Sequence, residues 1–259
     1  IGIPIVPHYL SGIILNQGDR IMIDKMVGKT EVALYGLAYS IGMLVQLFIS
    51  GMNSALTPWM YSKIKKGDIR SMRKVLQLLS IVVVGIAVAL MLISPELVLI
   101  FGSPKYHEAV YVIPPVAASV FFIFIYNILS MPQFYYEKTQ FLMAASMAAA
   151  GANVVLNFIF IHLFGYIAAG YTTLACYMLY SVGHYIVSKR ILVNEGIQEN
   201  LMNPGFLLAC SVFLIGASII CNLIFPYRIL RYAILLASAG LVFWKKELLL
   251  KTMADIRKK

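Results

Sequence analysis

The chain has 259 residues, of which 61% are hydrophobic and only 12% charged, with a mean hydropathy of +0.84. Soluble domains carry about 25% charged residues and 45–50% apolar ones, so a soluble enzyme, a disordered tail and a disulfide-stapled secreted scaffold are excluded. Apolar runs of about 20 residues recur along the whole length, the mark of an all-α polytopic membrane protein, because lipid leaves no partner for an open sheet edge.

In chain order, the runs predict eight membrane helices over 3–26, 31–61, 75–94, 112–134, 140–162, 166–188, 205–224 and 229–244. The connections between them are short, and no soluble domain is inserted. The net charge of +10 is spread unevenly across these connections. Fifteen Lys and Arg fall in 63–74, at Lys138, at Lys189 and Arg190 and in the tail 245–259, all on one side of the membrane. Five, Lys25, Lys29, Lys105, Arg228 and Arg231, fall on the other. The positive-inside rule makes the first side cytoplasmic and places both chain ends there. In a membrane protein the charge thus reads as topology, and no nucleic-acid partner is implied. The tail 245–259 reads either as a solvated basic segment or as one that lies on anionic membrane lipid. The three cysteines, Cys176, Cys210 and Cys221, sit singly inside apolar runs and suggest neither a disulfide nor a metal site.

A helix facing lipid is apolar all round, whereas one lining a wet cavity carries a polar stripe at helical spacing. Tyr35, Tyr39, Gln46, Ser50, Asn53 and Thr57 of the second run fall within about 60° of one another on an ideal helix. The fourth run aligns Ser119, Phe122, Tyr126, Ser130, Gln133 and Glu137. The fifth aligns Ser146, Asn153 and Asn157, among alanines that suit tight helix packing equally well. The sixth aligns Thr173, Cys176, Tyr180 and His184. The third, seventh and eighth runs are nearly bare of polar side chains and read as mainly peripheral.

The first run holds the densest polar cluster within a span: Asn16, Gln17, Asp19, Arg20 and Asp24. Arg20 lies about 24 Å along that helix from Pro4, in the outer half of the membrane. It either pairs with Asp24 one turn on or faces the cavity, where its planar fork suits a phosphate-bearing ligand. Asp19 and Asp24 are candidates for Na⁺ binding or protonation, and His184 for a proton site, since its ordinary pKa is near neutrality. Coupling to H⁺ or Na⁺ is the only cofactor-like requirement these residues suggest. The other histidines, His8, His107 and His162, lie near span ends.

The run NQGDRIMIDKMVGKTEVALYGLAYSIG (16–42) resembles the seventh and eighth membrane helices of oligosaccharide flippases. These form the polysaccharide-transport branch of the multidrug/oligosaccharidyl-lipid/polysaccharide (MOP) exporter superfamily. Asn53, Ala55, Pro58, Trp59 and Tyr61 resemble that family's cytoplasmic helix end, and FGSPKYHEA (101–109) its external loop. The longest match is YYEKTQFLMAASMAAAGANVVLNFIFIHLFGYIAAGYTTL (135–174).

The resemblance implies a bacterial inner-membrane carrier that moves a lipid-linked oligosaccharide, on undecaprenyl pyrophosphate, to the outer leaflet by alternating access of two lobes. Residues 1–190 would form the six-helix C-terminal lobe, 191–244 two additional membrane helices, and 245–259 a cytoplasmic tail. A preceding lobe of six spans would complete the cavity. Arg20 would neutralise pyrophosphate with Asn16 and Gln17 beside it. Tyr35, Tyr39, Tyr126 and Tyr180 would stack on sugar rings, and Gln46, Asn53, Gln133 and Asn157 would bond hydroxyls. The rival readings are an ion-coupled multidrug exporter of the same superfamily and a membrane polymerase or acyltransferase. The second lacks any nucleophile–base constellation in this sequence, so a non-enzymatic carrier is expected.

Overall fold

The computed structural model describes residues 2–244, and every regular element among them is helical. These are α1 (Gly2–Met26), α2 (Lys29–Gly42), α3 (Leu44–Lys65), α4 (Ile69–Phe101), a 3-10 segment (Pro104–Val112), α5 (Ile113–Tyr135), α6 (Thr139–Phe164), α7 (Ala168–Asn194), α8 (Pro204–Ile224) and α9 (Arg228–Trp244). Helices stand at all eight expected places. Five helical segments among the described residues are long and apolar enough to cross a membrane: Lys29–Lys65, Ile69–Phe101, Pro104–Tyr135, Thr139–Phe164 and Pro204–Ile224. The tail 245–259, read as a basic lipid-facing or solvated segment, lies outside the described residues.

α5 is the central post. Almost its whole circumference is buried, and it packs against α7, α4, α3, α8 and α2. α1 lies along α6 and α2, and α6 returns to α7. The bundle therefore closes around α5 and α7 on one side and α1 and α6 on the other. α8 and α9 pack against α4, with α8 also reaching α5.

Two expectations are corrected. The run 31–61 is not one helix but breaks between Gly42 and Met43, where Gln46 N donates to Met43 O in a tighter i to i−3 turn. Gly42 sits against α5 so closely that a Cβ there would lie 2.6 Å from Val116 Cγ1. The second correction concerns 75–94. It is part of a helix of 33 residues, about 50 Å long, and it buries one face from Ile69 to Val98 against its neighbours. An apolar face carries no mark that tells protein from lipid, which is why the sequence suggested a peripheral helix.

The start of α4 has a local cause. Asp68 is its N-cap: Oδ1 accepts from Ser71 N at 3.3 Å, and Oδ2 takes a 2.6 Å bond from Lys63 Nζ. Those hydrogen bonds, from Lys63 first, hold the Asp68 carboxyl down from 3.8 to about 2. Further along, Pro95 cannot donate to Met91 O, and the Ser94 hydroxyl does so instead at 2.8 Å.

The loops confirm the alternation of the helices. Arg70 pairs with Glu199 at 3.2 Å and Arg73 Nε bonds Asn200 O at 2.7 Å, so the α3–α4 turn and the α7–α8 linker meet at one end. At the opposite end, Arg231 of α9 clasps Glu96 of α4 with two 2.8 Å bonds.

Candidate functional site

The site grows from one buried face of α1. Ser11, Leu15, Asp19 and Ile23 recur every four residues and are buried together. Asp19 is thus carried into the packed seam with α6, where its side chain has no exposure. A carboxylate taken out of water is costly unless its oxygens are hydrogen-bonded. Here Oδ2 accepts from the Tyr35 hydroxyl of α2 and from Thr173 Oγ1 of α7 at 2.7 Å. Oδ1 accepts from Asn157 Nδ2 of α6 at 2.5 Å. Asn157 is itself held by Asn153 Oδ1 at 3.1 Å and by the Thr172 hydroxyl. Four helices therefore converge on one carboxylate through neutral groups, and among the described residues no Lys or Arg pairs with it. Such a group can exchange its hydroxyl and amide partners for a proton or a small cation without breaking an ion pair.

One turn earlier, Asn16 links this seam to open space. Its Oδ1 accepts from Tyr39 OH at 2.8 Å and from Tyr177 OH at 3.4 Å, and its Nδ2 donates to Gly12 O at 2.8 Å. Asn16, Tyr126, Tyr177, Tyr180, Ser130 and Ser146 are among the residues lining a cavity of about 320 Å³ between α1, α5, α6 and α7. Its aromatic wall is ordered: Tyr126 stacks parallel to Tyr177 at 6.3 Å and tilts against Tyr180 at 4.6 Å. Below it, Gln133 Nε2 and His184 Nδ1 are 2.7 Å apart, both residues fully buried. Ring faces beside hydroxyl and amide groups can hold a flat ligand that is polar at its edges. Two other hollows, between α5, α7 and α8 and between α6 and α7, are walled mostly by apolar side chains and face outward.

The expected site residues do not all face the cavity. Asn16, Tyr126 and Tyr180 line the cavity. Tyr35, Asn157 and Gln133 are fully buried, the first two engaged in the Asp19 network, so their side chains hold the helices together and are not presented to open space. Tyr39 is nearly as buried, bridging Asn16 and the Arg20 guanidinium, whose Cζ is 5.2 Å from its ring.

Arg20 and Asp24 do not pair. Arg20 Nη1 donates to Gln17 Oε1 at 2.9 Å, its Nε is buried without a partner, and Asp24 is exposed. Gln46 and Asn53 lie on α3, each with a buried carbonyl oxygen that has no hydrogen-bond partner. Neither lines the cavity between α1 and α7. Thr172 and Tyr177 were not singled out from the sequence. The signal for Tyr177 was available, since it stands one turn after Thr173 and shares its face. Among the described residues, no three His, Cys, Asp or Glu side chains gather as a metal site.

Comparison with known proteins adds a family. The MatE family model matches residues 4–159. A Haemophilus influenzae protein described as Lsg locus putative protein 1 is 29% identical over 154 residues, covering 56% of this chain and 37% of the relative. A second protein of that organism, described as an uncharacterized membrane protein, is 30% identical over 135 residues, covering 49% of this chain and 32% of the relative. The aligned part thus spans about a third of the length of each relative. No solved structure matches.

Proposed function

The chain belongs to the MatE family of multi-pass membrane transporters, and we propose that within it this lobe serves a carrier that moves a lipid-linked oligosaccharide across a bacterial inner membrane. The observation that carries the reading is the cavity wall of Tyr126, Tyr177 and Tyr180, faced by Asn16 and the small hydroxyls of Ser130 and Ser146. Stacked rings grip the apolar faces of sugars, while amides and hydroxyls bond their edges. Arg20, one turn beyond Asn16 on α1, is a fixed cation for a phosphate group. A second lobe facing α1 and α3 would complete the enclosure. Asp19 serves as the coupling group, taking up H⁺ or Na⁺. The basic segment 63–74 meets the α7–α8 linker at one end, and its six cations support the placement of that end in the cytoplasm.

Arg20→Ala in the full-length protein tests the phosphate role. Surface polysaccharide should be lost while the protein still reaches the membrane in normal amount; normal polysaccharide would refute it. The second reading, ion-coupled export of multiple drugs, draws on the buried carboxylate itself, which suits cation coupling with either cargo. Cation-dependent drug efflux from cells whose polysaccharide is unaffected by the variant would favour that reading.

A further inference from the structure

A second cavity, its wall mostly apolar but set with charged side chains, lies at the end of the bundle away from the basic segment 63–74. It measures about 390 Å³ and is enclosed by the end of α4 (Pro95, Glu96), the 3-10 segment (His107, Tyr111) and the start of α9 (Arg228, Arg231). Its charge is unbalanced. Arg231, only 3% exposed, gives both terminal nitrogens to Glu96 and a 2.6 Å bond to Leu92 O. Its Nε stays buried with no hydrogen-bond partner. Arg228 stands 4.0 Å from the same carboxylate with 72% of its side chain exposed. Two guanidinium cations thus share one anion, and α9 begins at Arg228 with the positive end of its dipole at the cavity mouth. The flanking surface is apolar: Leu99, Ile100, Phe101 and Ile229 are all more than half exposed.

We propose that this cavity binds the phosphate of an anionic membrane-lipid headgroup, with the lipid chains lying along the exposed faces of Leu99, Phe101 and Ile229. The spare positive charge selects net negative headgroups over zwitterionic ones, because only the former add an uncompensated anion. Arg231 is the fixed floor of the site, already oriented by Glu96. Arg228 is the adjustable arm that closes over the phosphate, since its present contact with Glu96 is long and solvated. A bound lipid would bridge α4, the 3-10 segment and α9, fixing the last helix to the bundle. The site is separate from the cavity between α1 and α7, so it stands whatever cargo the carrier moves.

The test uses the full chain in detergent, titrated with phosphatidylglycerol, phosphatidylcholine or inorganic phosphate and read by native mass spectrometry and thermal unfolding. Phosphatidylglycerol should bind in preference to phosphatidylcholine and raise the unfolding temperature. Arg228→Gln, at an exposed position that leaves the Arg231–Glu96 pair intact, should weaken that binding about fivefold. Lys245→Gln with Lys246→Gln, which lowers any attraction of the tail, should leave the Arg228-dependent part unchanged. The proposal fails if Arg228→Gln binds phosphatidylglycerol as the parent does, or if phosphatidylcholine binds equally well. It also fails if inorganic phosphate alone gives the same Arg228-dependent protection, which would make this a site for free anions.

Discussion

Asp19 is where single side chains carry the most consequence. Three donors from three helices, Tyr35, Asn157 and Thr173, end on its two oxygens. Asp19→Leu would strand the Tyr35 and Thr173 hydroxyls in the packed seam and leave Asn157 only its bond to Asn153, and stranded donors cost about 1–3 kcal/mol each. The variant should unfold at markedly lower temperature in detergent, with a loss of about 3–5 kcal/mol. Asp19→Asn keeps the shape and one acceptor oxygen and should lose clearly less. Equal stability of the leucine variant and the parent would show that the seam does not depend on this network. The sequence already placed Asp19 in a polar cluster and Asn157 and Thr173 on polar stripes. It did not distinguish residues that bind each other from residues that face a cavity, because helical spacing fixes a direction but not the neighbour met there. That is why Tyr35 and Asn157, expected as ligands for sugar, are found holding helices, while Tyr177 lines the cavity unannounced.

Elements are set by caps and close approaches, and two of these can be tested. Gly42→Ala puts a methyl 2.6 Å from Val116 Cγ1 and 2.9 Å from its Cβ, so α2 and α5 must separate at the break in the second run. Overpacking of this kind costs about 1–3 kcal/mol, and Val116→Ala in the same chain, which removes the Cγ1 clash but keeps the 2.9 Å approach to Cβ, should recover part of it in thermal unfolding. Recovery failing to appear would mean that the glycine is needed for the backbone of the break and not for the contact. Asp68→Ala removes the N-cap of α4 and the partner of Lys63, and should cost about 1 kcal/mol. Since folding lowers the Asp68 carboxyl from 3.8 to about 2, its contribution is complete above pH 3.8 and fades as the pH falls through about 2. The alanine variant should therefore differ from the parent at neutral pH and converge with it in strong acid. The extents of most helices were legible to within a few residues, because apolar runs end abruptly at charge. The break at Met43 was not, since the close approach of α5 beside it, at Gly42, comes from a residue far along the chain.

At the scale of the whole molecule, the open question is what ties α8 and α9 to the rest. Among the described side chains neither helix buries much surface: α8 buries Leu214, Ser218 and Cys221, and large side chains along both, such as Leu208, Leu223, Ile229 and Leu236, are exposed. Hydrophobic contrast gives no drive for association between helices already in lipid, so packing and polar bonds must supply it. For α9 the polar bond is the Arg231–Glu96 clasp, reinforced by the bond to Leu92 O. Sequence reading assigned Arg231 only to a count of outer-side charges, and Glu96 to no role, because a clasp between residues 135 apart leaves no local pattern. Arg231→Leu would leave Glu96 partly buried beside Arg228 alone, and breaking one partner of a buried pair costs about 3–5 kcal/mol. Arg231→Leu with Glu96→Leu removes both charges at once and should restore much of that loss. Hydrogen exchange along α9 reports the clasp directly: fast in the single variant, slowed again in the double. If exchange in α9 is the same in all three proteins, the last helix is held by packing alone and the ion pair is incidental to its attachment.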